Sequence, residues 1–86
     1  MRIDLFLKLI GIVKTRMAGK KLCDTGKVFI KGKPLKPSHE LQAGDRVEIR
    51  LPFKEMTFQV LDIPLGKSLA KADRSKYFSM TSIKET

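Results

Sequence analysis

The sequence has few of the residues that mark secreted and membrane proteins. Its single cysteine, Cys23, cannot form an internal disulfide framework, as is usual in a reducing compartment. No run of about 18 apolar residues occurs, so we expect no transmembrane helix. Residues 1–10 lack the apolar region and small-residue cleavage site of a signal peptide. These absences predict a cytoplasmic protein, and 86 residues are enough for one small domain.

Residues for catalysis and metal binding are equally scarce. His39 is the only histidine, and one histidine with Cys23 cannot build a structural zinc site or, at this spacing, a nucleophilic triad. Five residues separate Gly26 from Gly32, one more than in a phosphate loop, and Pro34 stands where that motif has a hydroxyl. We therefore expect no enzyme, cofactor, metal or small-molecule substrate. Cys23 is interpreted as a small buried hydrophobic residue.

Positive charge is what the sequence has in excess. Eighteen Lys or Arg stand against nine Asp or Glu, a net charge of +9. Residues 1–36 contain ten basic and two acidic residues, a net charge of +8, whereas residues 37–86 contribute only +1. Such asymmetry indicates a polyanionic partner, either a nucleic acid or an anionic membrane surface. A solvated surface without a partner is the alternative.

Hydrophobic spacing predicts two helices in the N-terminal part. Apolar residues recur at helical intervals over 3–10, and Gly11 is a typical helix end. Thr15 is a suitable cap for a second helix that runs to about residue 25, with Gly26 after it.

The second predicted helix has an apolar side and a basic side. Ala18 and Leu22 form the apolar side, with Met17 and Cys23 beside them. Arg16 and Lys20 lie four residues apart on another side. Two like charges at this spacing destabilise a helix by a few tenths of a kcal/mol. An anionic ligand would offset that cost.

After Gly26 the hydrophobic pattern alternates, which predicts strands. The predicted segments, in chain order, are a strand at 28–30, a tight turn at 31–34, a loop at 36–39, a strand at 46–51, a turn at 52–55 and an antiparallel strand at 56–61. Residues 64–76 are basic and specify no element. Residues 77–80 predict either a last short strand or a contact that docks the tail.

Several short motifs stand in order along the chain: MRID at 1–4, KTR at 14–16, DTGKV at 24–28, Gly32, KPS at 36–38, and GD at 44–45 before VEI at 47–49. In order and spacing they resemble the S4-type, or alpha-L, RNA-binding domain over residues 1–63. Stand-alone heat-shock-protein-15-like and RqcP-type members of this family are similar through the tail as well. The resemblance implies an α+β fold with two N-terminal packed helices on a small antiparallel β-sheet and a short C-terminal extension. We expect an RNA-binding domain at 1–63 and a basic linker and C-terminal tail at 64–86.

The resemblance also implies a function in ribosome rescue or quality control. The expected partners are ribosomal RNA of the large ribosomal subunit and, as a further candidate, tRNA, bound by a monomer. The predicted RNA-binding residues are basic residues near the element ends and two hydroxyl residues of the motif: Arg2, Lys8, Lys14, Thr15, Arg16, Lys20, Lys27, Lys31, Lys33, Lys36 and Ser38. The second helix and the hairpin at 27–36 are expected to form one continuous basic ridge that contacts phosphates without reading bases.

Two positions depart from the family pattern. Lys31 stands where Asn usually precedes the hairpin glycine, which removes the side chain that supports the turn. Gly19 stands where the second helix usually has Ala, a change that lowers helix stability by about 1 kcal/mol. Gly19 indicates either a close approach of the two helices or simply a weaker helix.

Two other functions remain compatible with the sequence. The chain could be the RNA-targeting subunit of an RNA-modifying or ribosome-assembly complex, since the same domain is fused to such enzymes. Binding to an anionic membrane is less well supported, because the apolar side of the first helix is needed for the core. We therefore expect no membrane partner.

Overall fold

Helices precede an antiparallel sheet in the computed structural model, which describes residues 1–85. In chain order the elements are α1 (Ile3–Leu9), α2 (Arg16–Asp24), β1 (Val28–Ile30), β2 (Lys33–Pro34), β3 (Arg46–Leu51), β4 (Lys54–Val60), a 3₁₀ helix (Lys71–Lys76) and β5 (Phe78–Glu85). Over this part of the chain the strands lie in the order β2-β1-β3-β4-β5, and each neighbouring pair is antiparallel. The expected α+β fold is confirmed. No helix among residues 1–85 has the length and apolar character required to span a membrane.

The ends of both helices follow from the local sequence. After α1 the chain turns through Gly11, whose φ of +82° is a conformation that glycine adopts without strain. Thr15 caps α2, because its Oγ1 accepts a hydrogen bond from the Ala18 amide at 3.1 Å. Gly26, with φ of +70°, follows the end of α2. The predicted helix boundaries are confirmed to within one residue.

Gly19 is where the two helices approach each other most closely. A Cβ atom at this position would lie 2.6 Å from the backbone oxygen of Asp4 on α1, a distance that packed atoms do not tolerate. Of the two explanations that the sequence left open, the close helix–helix approach is therefore the correct one.

The hydrophobic core lies between α1 and the inner face of the sheet. Phe6 of α1 and Phe58 of β4 are fully buried, and their rings stack with centroids 6.1 Å apart. Phe78 of β5 contacts Phe58 edge to face at a centroid distance of 6.0 Å. Val47 and Ile49 fill the same core from β3, as their alternation with polar residues predicts. The C-terminal strand thus shares the core of the N-terminal helices.

The strand boundaries differ from the sequence prediction at the second hairpin. The first hairpin has a two-residue turn in which Lys31 and Gly32 both adopt positive φ, +51° and +77°. The predicted turn at 52–55 is too long, because Lys54 already pairs with Leu51 across β3 and β4. β4 therefore begins at Lys54 instead of residue 56.

The segment after residue 63 contains regular structure. Part of the stretch at 64–76, for which the sequence specified no element, forms the 3₁₀ helix. β5 pairs with β4 along its length, from Lys54 opposite Glu85 to Val60 opposite Phe78. Of the two alternatives for residues 77–80, the strand is correct, and it continues to Glu85. The division of the chain after residue 63 stays a prediction.

Candidate nucleic-acid interface

A buried carboxylate at the start of α1 holds two arginines at the surface. The Asp4 side chain is only 3% exposed, and its oxygens lie 3.1 Å from Nη2 of Arg2 and 3.6 Å from Nε of Arg16. Each arginine side chain remains 44% exposed. Because Asp4 restricts their rotamers, both guanidinium groups are presented to solvent in a defined arrangement.

The same three residues line a pocket of about 300 Å³ with Met17 and Lys20 of α2. We call it the Arg2 pocket. Its three cations and one carboxylate leave a net charge of +2, which suits an anion. Met17, predicted to lie beside the apolar side of the helix, is 72% exposed and lines this pocket. The buried residues of α2 are Gly19 and Cys23, whereas Ala18 and Leu22 are half-buried.

A loop brings two further predicted residues to the start of α1, although neither of them lines the Arg2 pocket. The first amides of α1 donate to this loop, Ile3 to the His39 oxygen at 2.8 Å and Asp4 to the Pro37 oxygen at 3.3 Å. Lys36 and Ser38, both exposed, therefore lie near the start of α1. These hydrogen bonds also satisfy donors that a helix start leaves unpaired.

The carboxylate at the end of this loop is held by the chain terminus. Glu40 Oε2 lies 2.8 Å from the amino group of Met1, and this hydrogen bond lowers the pKa of Glu40 below its ordinary value. Arg2 forms an isolated β-bridge with Glu40. The loop is thus fastened to the residues around Arg2 by backbone and side-chain contacts.

Lys8 and Lys14 lie elsewhere, in a pocket of about 500 Å³ between the end of α1 and the C-terminal segment. Three basic residues of that segment, Lys67, Lys71 and Arg74, line the same pocket. We call it the Lys71 pocket. Arg74 is fixed there, since its Nε donates to the Leu9 oxygen at 3.1 Å.

The basic residues around the first hairpin occupy separate places. Lys27 lines a mainly apolar groove of about 410 Å³ together with Lys21. Lys31 and Arg46 line a pocket together with Asp45 and Glu48, whose carboxylates balance the two positive charges. Lys33 is exposed on β2, and Thr15 uses its hydroxyl to cap α2. The structure therefore distributes the predicted residues over several pockets, and the RNA contact of each stays a prediction.

Phe29 of β1 lies close in the chain to the basic residues of the first hairpin and is a candidate for base stacking. In the structure the guanidinium carbon of Arg50 lies 4.3 Å above its ring centroid, a cation–π contact. Arg50 also pairs with Glu48 at 3.3 Å. One face of the Phe29 ring is thus covered, which leaves less of the ring available for stacking on a base.

Cys23 is buried between α2 and the core, as expected. Its pKa is raised to about 11, first because burial disfavours the thiolate and then because Asp4 and Asp24 are negatively charged. Such a thiol is a poor nucleophile at neutral pH. Among residues 1–85, no cluster of three or more His, Cys, Asp or Glu side chains is placed to hold a metal ion.

Sequence reasoning did not assign Asp4 and Met17 of the Arg2 pocket, or three basic residues of the Lys71 pocket, to a binding site. A carboxylate within an apolar run, as at Asp4, is a signal of a buried ion pair and could have indicated this site. No local signal indicated Met17. The contribution of Lys67, Lys71 and Arg74 depends on the return of the chain to α1, which hydrophobic periodicity does not report.

Comparison with known proteins places this geometry in a family. The S4 domain family model matches residues 1–47. The RQC P-site tRNA stabilizing factor of Helicobacter pylori strain J99 is 33% identical over 79 residues, which cover 92% of this chain and 94% of that protein. The factor of the same name from Bacillus subtilis strain 168 is 35% identical over 63 residues, 73% of each chain. The trimeric Heat Shock Protein 15 of Vibrio cholerae, 23% identical, shares the fold with a TM-score of 0.83 over 95% of this chain and 82% of its own.

Proposed function

The chain belongs to the S4 domain family, and we propose on that basis that it is a non-enzymatic RNA-binding protein of ribosome rescue or quality control. Its partners in this proposal are structured ribosomal RNA of the large ribosomal subunit and tRNA. The relatives named as P-site tRNA stabilizing factors support the inclusion of tRNA, since the similarity spans nearly the whole of both chains. We propose that the protein acts as a cytoplasmic monomer.

The observation that supports this function best is the Arg2 pocket. Arg2 and Arg16 are held by one buried carboxylate, and Lys20 adds a third cation without an acidic partner among residues 1–85. A guanidinium group can donate two parallel hydrogen bonds to a phosphate, so a prearranged pair of arginines suits an RNA backbone. Contacts of this kind position a protein on RNA by shape and charge.

Lys20→Glu tests the proposal with little risk to the fold. Lys20 is exposed and lines the pocket, whereas a change at Arg16 would also disturb buried Asp4. We expect the affinity for purified large ribosomal subunits to fall about tenfold or more, and the slope of log K against log salt to decrease by about 1. Sedimentation with the subunits at several salt concentrations measures both quantities.

Lys21→Glu is the matched control. It makes the same charge change at the next residue of α2, but Lys21 lines the apolar groove and not the Arg2 pocket. The affinity of the Lys21→Glu variant for the subunits should fall much less than that of the Lys20→Glu variant. Equal losses would mean that only net charge matters. A wild-type protein that binds neither subunits nor tRNA, and copurifies instead with an RNA-modifying enzyme, would favour the alternative role as a targeting subunit.

A further inference from the structure

We propose that the Lys71 pocket is a second phosphate site, which binds a backbone phosphate of the same RNA that the Arg2 pocket holds. This inference rests on the proposed function and adds residues 64–76 to the RNA-binding surface. Lys67, Lys71 and Arg74 lie outside the 1–47 segment that matches the S4 domain family model, so the match gives them no role.

The pocket is built around Arg74. Its Nε donates to the Leu9 oxygen, and it packs against Gly11, where a Cβ atom would lie only 2.5 Å from its Nη1. A side chain at Gly11 would therefore displace the guanidinium group, and the φ of +82° at this position also favours glycine. Because Arg74 pairs with a carbonyl at the end of α1, it also reduces the partial negative charge that this helix end would otherwise present to an anion.

The charge of the pocket calls for an anionic ligand. Lys8, Lys14, Lys67, Lys71 and Arg74 all line it, and no Asp or Glu among residues 1–85 does. Within residues 1–85 none of these five side chains forms an ion pair. Asp73, which precedes Arg74 in the chain, is paired with Lys76 at 3.1 Å. Five like charges around about 500 Å³ repel one another unless a bound anion offsets them.

The position of the pocket favours RNA over a free phosphate ion. Lys14 lines the Lys71 pocket and Arg16 lines the Arg2 pocket, and two residues span at most about 7 Å of extended chain. Both pockets therefore include a residue of the segment that leads into α2. One polyanionic backbone can place phosphates in both, whereas a free phosphate ion would occupy each independently.

Titration of the full chain with inorganic phosphate, followed by amide NMR shifts, tests the pocket without RNA. We expect saturable shifts at Gly11 and Ser68 in the wild type that are lost in Lys67→Ala/Lys71→Ala. The matched control, Lys54→Ala/Lys84→Ala, also removes two lysines, but from the β4–β5 strand pair outside the pocket. It should retain the shifts. Linear shifts of equal size in all three proteins would overturn the anion site.

Binding to purified large ribosomal subunits tests the RNA assignment. We expect Lys67→Ala/Lys71→Ala to lower the salt slope by about 0.7 to 0.9, the value for one phosphate, while the control double variant keeps the wild-type slope. If the two double variants have equal salt slopes although the wild type shows the phosphate shifts, RNA is overturned as the ligand of this pocket and a free-phosphate site remains. A wild type that binds phosphate but no subunits would overturn the proposed function together with the RNA assignment. A wild type that binds subunits but shows no phosphate shifts would overturn only the phosphate site in the Lys71 pocket, and the proposed function would stand.

Discussion

Asp4 shows how one buried residue can determine the arrangement of charged side chains at the surface. A buried carboxylate without partners would be strongly unfavourable, so the two arginines stabilise Asp4 as much as Asp4 positions them. The pairing joins Arg2, before α1, to Arg16, at the start of α2, and both remain partly exposed. A stability requirement of the fold and the arrangement of the candidate interface therefore depend on the same contact.

Cys23 makes the stability of the protein sensitive to alkaline pH. Its pKa rises from 9.0 to about 11 on folding, so the folded state holds the thiol proton more tightly than the unfolded state. The resulting stability is fully present below pH 9 and is lost as the pH rises through about 11. We expect the urea midpoint of the wild type to fall over this interval.

Cys23→Ala separates this effect from the titration of lysines. The variant lacks the thiol, so its midpoint should fall less than that of the wild type between pH 9 and about 11. Urea unfolding followed by circular dichroism at both pH values measures the difference. Parallel curves for the two proteins would contradict a raised thiol pKa.

At the scale of elements, the packing of α1 on α2 depends on the absence of a side chain at Gly19. In an isolated helix Gly19→Ala would add about 1 kcal/mol of stability. Here the new Cβ would meet the Asp4 oxygen at 2.6 Å and push the helices apart. We expect a net destabilisation of about 1 to 3 kcal/mol, measured by thermal or urea unfolding.

Gly66→Ala is the control for this helix prediction. A Cβ atom at Gly66 has open space around it, so the substitution should leave stability unchanged or raise it slightly. A Gly19→Ala variant more stable than the wild type would mean that the helices can separate without cost, and that the glycine merely weakens α2.

At the scale of the whole molecule, the C-terminal segment is integrated with the N-terminal elements. β5 pairs with β4, Phe78 contacts Phe58 in the core, and Arg74 bonds to the Leu9 carbonyl. A chain that ends at residue 63 loses these contacts and exposes the edge of β4. We expect it to lose about 3 kcal/mol or more, a large fraction of the stability of a small domain, as measured by its unfolding midpoint.

A substitution within the deleted segment controls for this truncation. Leu65 is 99% exposed, so Leu65→Ala should keep the midpoint of the full chain. A truncated chain with an unchanged midpoint would support the division into a domain at 1–63 and a separate tail. A strongly lowered midpoint would instead mean that residues 64–85 belong to the folding unit.

The sequence was sufficient where structure depends on near neighbours. Helix ends at Gly11, Thr15 and Gly26 follow from capping and backbone freedom, which involve only adjacent residues. Alternation predicted β3 and the inner face of β4, because side chains of a strand point to opposite faces by geometry alone. Spacing of basic residues and motifs likewise sufficed to indicate a polyanionic partner and to identify the family.

Only the tertiary structure decided which cations lie together. Arg2 and Arg16 both pair with Asp4 because the two helices pack closely at Gly19. Lys8 lines the same pocket as Lys71 and Arg74 because the C-terminal segment returns to the end of α1 before β5 pairs with β4. These neighbours are far apart in the chain, and a periodic pattern contains no information on such distances. The net charge of +9 is a property of the sequence, whereas the grouping of its cations into separate pockets is a property of the fold.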